Sequence, residues 1–156
     1  MRIAIGADHG GFELKSKLIK YLRRKGYSVK DFGTYSPQVC DYTKYGFIVS
    51  RAVGSGKYSR GILICKSGIG MSIVANKIHD VRAVVAHDTK VAKFSREHND
   101  SNIIVFGSKF VKPEKAKRIL DVWFKTNFLG GRHLRRVKQI RDIEDEIKSS
   151  RMPEGK

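Results

Sequence analysis

Residues 60–72 read Arg60-Gly61-Ile62-Leu63-Ile64-Cys65-Lys66-Ser67-Gly68-Ile69-Gly70-Met71-Ser72. The apolar run Gly61–Cys65 predicts a short buried strand, and the glycines after it predict a tight turn. A helix is expected to start at about Met71. Four further Ile- and Val-rich runs predict strands: Arg2–Ala7, Tyr27–Phe32, Val81–Ala86 and Asn102–Gly107. Helical spacing separates several of them. Residues 12–25 place Leu14, Leu18, Tyr21 and Leu22 on one face, and residues 42–54 do so with Tyr42, Val49 and Val53. Residues 114–126 use Ala116, Ile119, Leu120 and Trp123, with Pro113 suited to a first turn. Strands alternating with helices predict an α/β fold: a single-domain three-layer α/β/α sandwich with a five-stranded parallel, Rossmann-like sheet.

Beyond Asn127 the pattern changes. Gly130-Gly131 breaks the chain, and Leu134, Val137, Ile140, Ile143 and Ile147 then recur every three or four residues. This predicts a long C-terminal helix, about residues 131–148, appended to a finished unit. Its apolar stripe must lie on its own domain or on a partner subunit. Residues 149–156 carry no pattern and are expected to fray.

The 156 residues suffice for one domain, and 40% hydrophobic content suffices for a core. No apolar run is long enough to span a membrane, and no secretory leader is expected. Two cysteines are too few for a disulfide scaffold, which predicts reduced thiols and a cytoplasmic location. Thirty-two Lys and Arg against fifteen Asp and Glu leave a net charge of +17. No zinc-finger spacing and no ribonucleoprotein-type aromatic motif accompanies that charge. It reads as solvated helix surface, so nucleic acid is not expected as a partner.

In an open parallel sheet, ligands bind beyond the carboxyl ends of the strands. Asp8, His9, Gly10 and Gly11 follow the first predicted strand, Cys65 to Ser72 end and follow the third, and His87 and Asp88 follow the fourth. Free N–H groups in the Ser67–Ser72 turn suit an anion or a developing oxyanion. The turn lacks the Gly-x-x-x-x-Gly-Lys-Ser/Thr form of a triphosphate loop, and Gly-x-Gly-x-x-Gly does not follow the first strand. A cysteine ending an apolar strand is ordinarily a small buried hydrophobe. Beside Lys66 and a helix start, Cys65 is alternatively a base or nucleophile. His98 by itself reads as a surface or capping histidine. Arg132 and Arg136, four apart, share one helix face, as either solvated cations or a phosphate clamp. No histidine among His9, His79, His87, His98 and His133 makes a tight pair with a carboxylate at ligand spacing, so no metal site is expected.

Six motifs then occur in order: Asp8-His9-Gly10-Gly11; Asp41-Tyr42; Ile64 to Ser72 with Ala75-Asn76-Lys77; Arg82-Ala83; Ser95-Arg96-Glu97-His98-Asn99-Asp100; and Gly130-Gly131-Arg132-His133 with Arg136. Over about residues 1–147 this order resembles the type B ribose-5-phosphate isomerases. They sit in a wider sugar-phosphate isomerase family that includes galactose-6-phosphate and allose-6-phosphate isomerases. The resemblance implies a metal-free, cofactor-free conversion of ribose 5-phosphate to ribulose 5-phosphate through a cis-enediolate, a step of the pentose phosphate pathway. By position, it implies Cys65 as the base and Ser67 as a proton shuttle, with the backbone of Gly68, Ile69, Gly70, Met71 and Ser72 holding the enediolate charge. His98 opens the sugar ring with Asp8 as partner, and Tyr42 and Asn99 contact the sugar. His9, Arg132 and Arg136 hold the phosphate.

The resemblance also implies a homodimer with the site at its interface, the His98 segment and arginines coming from the second subunit. Pairing into a tetramer stays open. A second family branch uses a Glu where this chain has Met71, so Met71 with Cys65 favours the thiol. His98-Asn99 favours the ribose type. Lys66 stands where the family usually has Gly, and Thr43 where it has Pro. An isomerase of a six-carbon sugar phosphate, or a noncatalytic anion- or RNA-binding relative, remains an alternative.

Overall fold

The computed structural model describes residues 1–150. Five parallel strands form one sheet: β1 (Arg2–Ala7), β2 (Ser28–Asp31), β3 (Arg60–Cys65), β4 (Ala83–Val85) and β5 (Ile103–Gly107), in the order β2-β1-β3-β5-β4. Helices α1 (Phe12–Arg24), α2 (Tyr42–Gly54), α3 (Ile69–Ala75), α4 (Thr89–Asn99) and α5 (Pro113–Lys125) follow the strands in turn, and α6 (Arg132–Ser150) is appended.

The sheet divides the core in two. On one face, Ile3, Ile5, Ile62, Ile64, Ile104 and Phe106 meet α1, α4 and α5. On the other, Ala4, Leu63, Ile103 and Val105 meet α2 and α3. Alternate residues of one strand therefore bury on opposite faces, as a sheet covered on both sides requires. The expected three-layer sandwich is what forms. Leu14, Leu18 and Leu22 are buried on α1, and Ala116, Ile119, Leu120 and Trp123 on α5.

Several boundaries differ from the sequence reading. The fourth strand is three residues long rather than six. Its outer edge is closed by one side chain: the Asn76 amide donates to the Ala83 carbonyl at 2.9 Å and accepts from the Ala83 N–H at 2.8 Å. Arg82, just before it, is held instead by Asn102 Oδ1, which accepts its N–H at 2.8 Å. Helix α3 begins at Ile69, earlier than Met71, because Gly68 takes a left-handed φ of 82° and turns the chain at once. Helix α4 was not expected. Its signal was Asp88, whose carboxylate caps the helix by accepting the Val91 N–H at 2.8 Å. The C-terminal helix includes Ser149 and Ser150, two residues beyond its expected end at 148; the rest of the expected tail, residues 151–156, lies outside the described residues.

Lys15 is almost fully buried and reaches both Asp31 carboxylate oxygens at 2.6 Å, while Asp31 also accepts the Gly33 N–H at 2.8 Å. Removing one partner of such a pair strands a buried charge. Asp31→Ala should cost about 3 kcal/mol in urea unfolding, and Lys15→Met with Asp31→Leu should recover most of it. An unmoved Asp31→Ala midpoint would show that Lys15 does not depend on this partner.

Candidate active site

The chain leaves β1 through α1 to β2 on one side, then returns to β3 on the other side of β1. That reversal opens a crevice at the carboxyl ends of β1 and β3, where an open α/β sheet receives ligands. Asp8 to Gly11 and Cys65 to Ser72 form its two walls. They interlock: the Asp8 N–H donates to the Ile64 carbonyl at 3.2 Å. Asp8 is buried, and one of its carboxylate oxygens accepts the Gly11 N–H at 3.0 Å.

Cys65 is 4% exposed. Its Sγ accepts the Gly68 N–H at 3.1 Å. Ser67 Oγ accepts the Ile69 N–H at 3.3 Å. Of the five N–H groups expected to hold an enediolate, three are therefore spoken for. Gly68 serves Cys65, Ile69 serves Ser67, and Ser72 bonds the Gly68 carbonyl inside α3 at 3.1 Å. The Ser72 expectation is corrected accordingly. The N–H groups of Gly70 and Met71 have no acceptor among the described residues. The Tyr42 ring, at the start of α2, lies so close over Gly70 that any Cβ there would collide with it, 2.5 Å from Tyr42 Cζ.

Two supports of this wall escaped the sequence reading. His9 Nδ1 lies 3.2 Å from both the backbone nitrogen and the carbonyl oxygen of Cys40, and Nε2 has no partner among the described residues. A backbone contact leaves no mark on residue identity, so no signal pointed to Cys40. The Lys66 side chain lies exposed with its stem across Gly10.

His98, Asn99, Arg132 and Arg136 are elsewhere. Helix α4 runs back from the carboxyl ends to the amino ends of the strands. Asn99 and Asp100 carbonyls accept Arg82 Nε at 3.0 Å, and the Gly61 N–H donates to Asn102 at 2.8 Å. Asn99 thus sits near the level of Gly61, four residues down β3 from Cys65, or about 13 Å at strand rise. One chain does not bring the two groups of residues together.

The second group has its own scaffold. His98 is stacked between Phe94, at 5.2 Å, and His133, at 4.3 Å and 5° from parallel. Burial, with the positive surroundings of His98, Arg132 and Arg136, pushes the His133 pKa down, Glu97 opposing. A neutral His133 therefore sets the plane of His98. Arg96 is buried and donates to Asp100 Oδ1 and the Ser101 carbonyl, both at 2.7 Å, pinning the end of α4. The four-residue spacings Phe94–His98 and Arg96–Asp100 were visible signals once α4 was known to be a helix.

Helix α6 crosses the same edge. His79 Nε2 meets Asp145 Oδ1 at 2.7 Å, His79 Nδ1 meets Asp80 Oδ2 at 3.0 Å, and Arg141 donates to Asp80 Oδ1 at 2.7 Å. This corrects the expectation that no histidine pairs tightly with a carboxylate. His79, Asp80 and Glu144 also form the one three-ligand grouping among the described residues, far from Cys65. The Asp145 hydrogen bond raises the His79 pKa above 6.5, burial opposing and Asp80 and Glu144 assisting. A raised folded-state pKa contributes stability fully below pH 6.5 and loses it as pH rises through the raised value. Protection factors of the α6 amides, taken against the intrinsic exchange rate at each pH, should therefore fall across that interval, and His79→Gln should abolish the fall. Protection factors that are flat with pH in the wild type would remove His79 as the clamp.

A buried thiol, a hydroxyl, a carboxylate and N–H groups without an acceptor among the described residues meet at the switch point, where an α/β sheet receives a small ligand. Residues 3–140 match the family model described as Ribose/Galactose Isomerase. The chain is 46% identical over 143 residues to ribose-5-phosphate isomerase B of Escherichia coli (strain K12), covering 92% of this chain and 96% of that one. It is 38% identical to D-erythrulose-4-phosphate isomerase of Pectobacterium atrosepticum, covering 95% and 98%. Ribose-5-phosphate isomerase B of Clostridium thermocellum superposes with a TM-score of 0.92 at 46% identity, covering 94% and 99%. The chain belongs to the ribose/galactose isomerase family and is an isomerase.

Proposed function

We propose that this isomerase interconverts ribose 5-phosphate and ribulose 5-phosphate, as in the pentose phosphate pathway, with Cys65 as the base and no metal. The observation that carries the mechanism is the buried Cys65 Sγ facing the Gly68 N–H, beside the unpaired Gly70 and Met71 N–H groups. The thiolate takes the C2 proton, giving a cis-enediolate whose charge those N–H groups hold. Ser67 carries a proton from O2 to O1, and the Cys65 thiol returns its proton to C1. Asp8 contacts the sugar hydroxyls, and Tyr42 closes the wall over Gly70.

His98 opens the furanose, Asn99 binds a sugar oxygen, and His9, Arg132 and Arg136 hold the phosphate. With the two groups at opposite edges of one chain, a homodimer that presents the amino edge of one copy to the carboxyl edge of the other completes the site. Ile69 and Ile73 on α3 and Leu134, Ile140, Ile143 and Ile147 on α6 are exposed, and such a pairing would cover them.

The test is ketose formation from ribose 5-phosphate, with a chelator and with allose 6-phosphate run alongside. Chelator-resistant turnover with a higher kcat/KM for the pentose is expected. A higher kcat/KM for the hexose would reassign the substrate. Loss with chelator would reassign the chemistry.

A further inference from the structure

The net charge of +17 is far more than one sugar phosphate requires, and the fold concentrates it. Residues 12–25 and 109–125 are a fifth of the chain, yet they hold twelve Lys and Arg against three acidic residues, more than half of the net charge. These two segments, far apart in sequence, are α1 with its exit and α5 with its entry, which lie side by side over one face of the sheet. Tyr21 donates to Asp121 at 2.7 Å across the seam, and Lys117 Nζ stands 5.6 Å from the Tyr21 ring centroid.

Among the described residues, only Lys15, Lys25 and Lys117 of the twelve are in ion pairs. The others project into solvent. Lys17, Lys20 and Arg24 follow one stripe of α1 at spacings of three and four residues, and Lys115, Arg118 and Lys125 follow α5. The result is two adjacent rows of cations, with the helix axes about 8–10 Å apart. Solubility is served by interspersed signs rather than by such a concentration.

We propose that the α1–α5 face binds the phosphate backbone of nucleic acid, without reading sequence and apart from the isomerase site. Paired rows of flexible cations match a string of phosphates and release its counterions. An anionic membrane is the poorer fit, because membrane-surface helices insert an apolar face. Here Leu14, Leu18, Leu22, Ile119, Leu120 and Trp123 are spent in the core. The exposed groups of the two rows are Lys and Arg side chains, which meet phosphates rather than base edges, so recognition stops at the backbone.

The experiment uses the full chain with fluorescein-labelled 25-mer single-stranded RNA and a 25-base-pair DNA duplex across a salt series, and vesicles of anionic phospholipid as a third arm. Binding to either nucleic acid should weaken steeply with salt. The variant Lys20→Gln, Arg24→Gln, Arg118→Gln and Lys125→Gln should bind at least about 10-fold more weakly, and its log–log salt slope should be shallower by about 3. Its ribose 5-phosphate turnover should match the wild type. The comparison variant Lys30→Gln, Lys57→Gln, Lys138→Gln and Lys148→Gln removes the same charge elsewhere and should retain most of the affinity. Equal losses in the two variants would show only the overall charge and overturn the assignment of the face. Binding to vesicles alone, or no binding to nucleic acid at about 0.1 M salt, would overturn the proposal itself.

Discussion

Cys65→Ala should lower kcat for ribose 5-phosphate by about 10³-fold, inside the range that a positioned acid–base group contributes. KM should change little. The reason is spatial: the phosphate contacts proposed for His9, Arg132 and Arg136 are separate from the thiol and survive its removal. The substitution removes one sulfur from a side chain at the edge of the core under α2 and α3, whose hydrogen bond comes from the Gly68 N–H at 3.1 Å. A fall confined to kcat is the signature of an interaction made in the transition state. A thermal melt should confirm that the variant is folded. Full turnover in the folded variant would remove Cys65 as the base and leave Ser67 and Asp8 as the remaining candidates on that wall.

Mixing two dead variants should restore activity. Cys65→Ala keeps an intact amino-edge group, and the double variant Arg132→Ala with Arg136→Ala keeps an intact carboxyl-edge group. Each alone should be nearly inactive. After the two are unfolded together and refolded at equal amounts, random two-fold pairing makes half of the dimers mixed, and each mixed dimer has one of two sites whole. Roughly a quarter of wild-type activity should return. The expectation follows from the position of Asn99 near the level of Gly61, about 13 Å down the strand from Cys65. A mixture no more active than its parts would show that each chain completes its own site.

The regular parts of this fold were legible because each follows from local periodicity. Five strands and the helices at 12–25, 42–54 and 114–126 were found within a few residues. Leu18, Leu22, Ile119 and Trp123 occupy the buried face that their spacing predicted. Helix α4 was missed because its buried apolar residues are few: Ala92 is joined on that face by Ser95 and Arg96. Polar burial of that kind is intelligible only once Ser101 and Asp100 are in place, since Ser95 Oγ meets Ser101 Oγ at 2.8 Å and Arg96 meets Asp100 at 2.7 Å.

The residue types of the site were likewise readable, because a thiol, a hydroxyl and glycines after a strand carry their chemistry with them. Their grouping was not. Whether His98 faces Cys65 depends on the direction of α4 and on where its last turn stops against Arg82, which spacing along the chain does not encode. Nor does spacing encode the His9 contact with the Cys40 backbone, the stacking of His98 on His133, or the Asn76 amide on the edge of β4. The same holds for charge. Composition determined that this protein is strongly basic, and residue order determined what chemistry its strand ends carry. Only the tertiary structure, by laying α1 beside α5 and sending α4 to the far edge, decided that the cations share a face and that Cys65 and His98 lie at opposite edges of one chain. Periodicity is a property of neighbours in sequence, whereas a face or a site is made by residues that packing alone brings together.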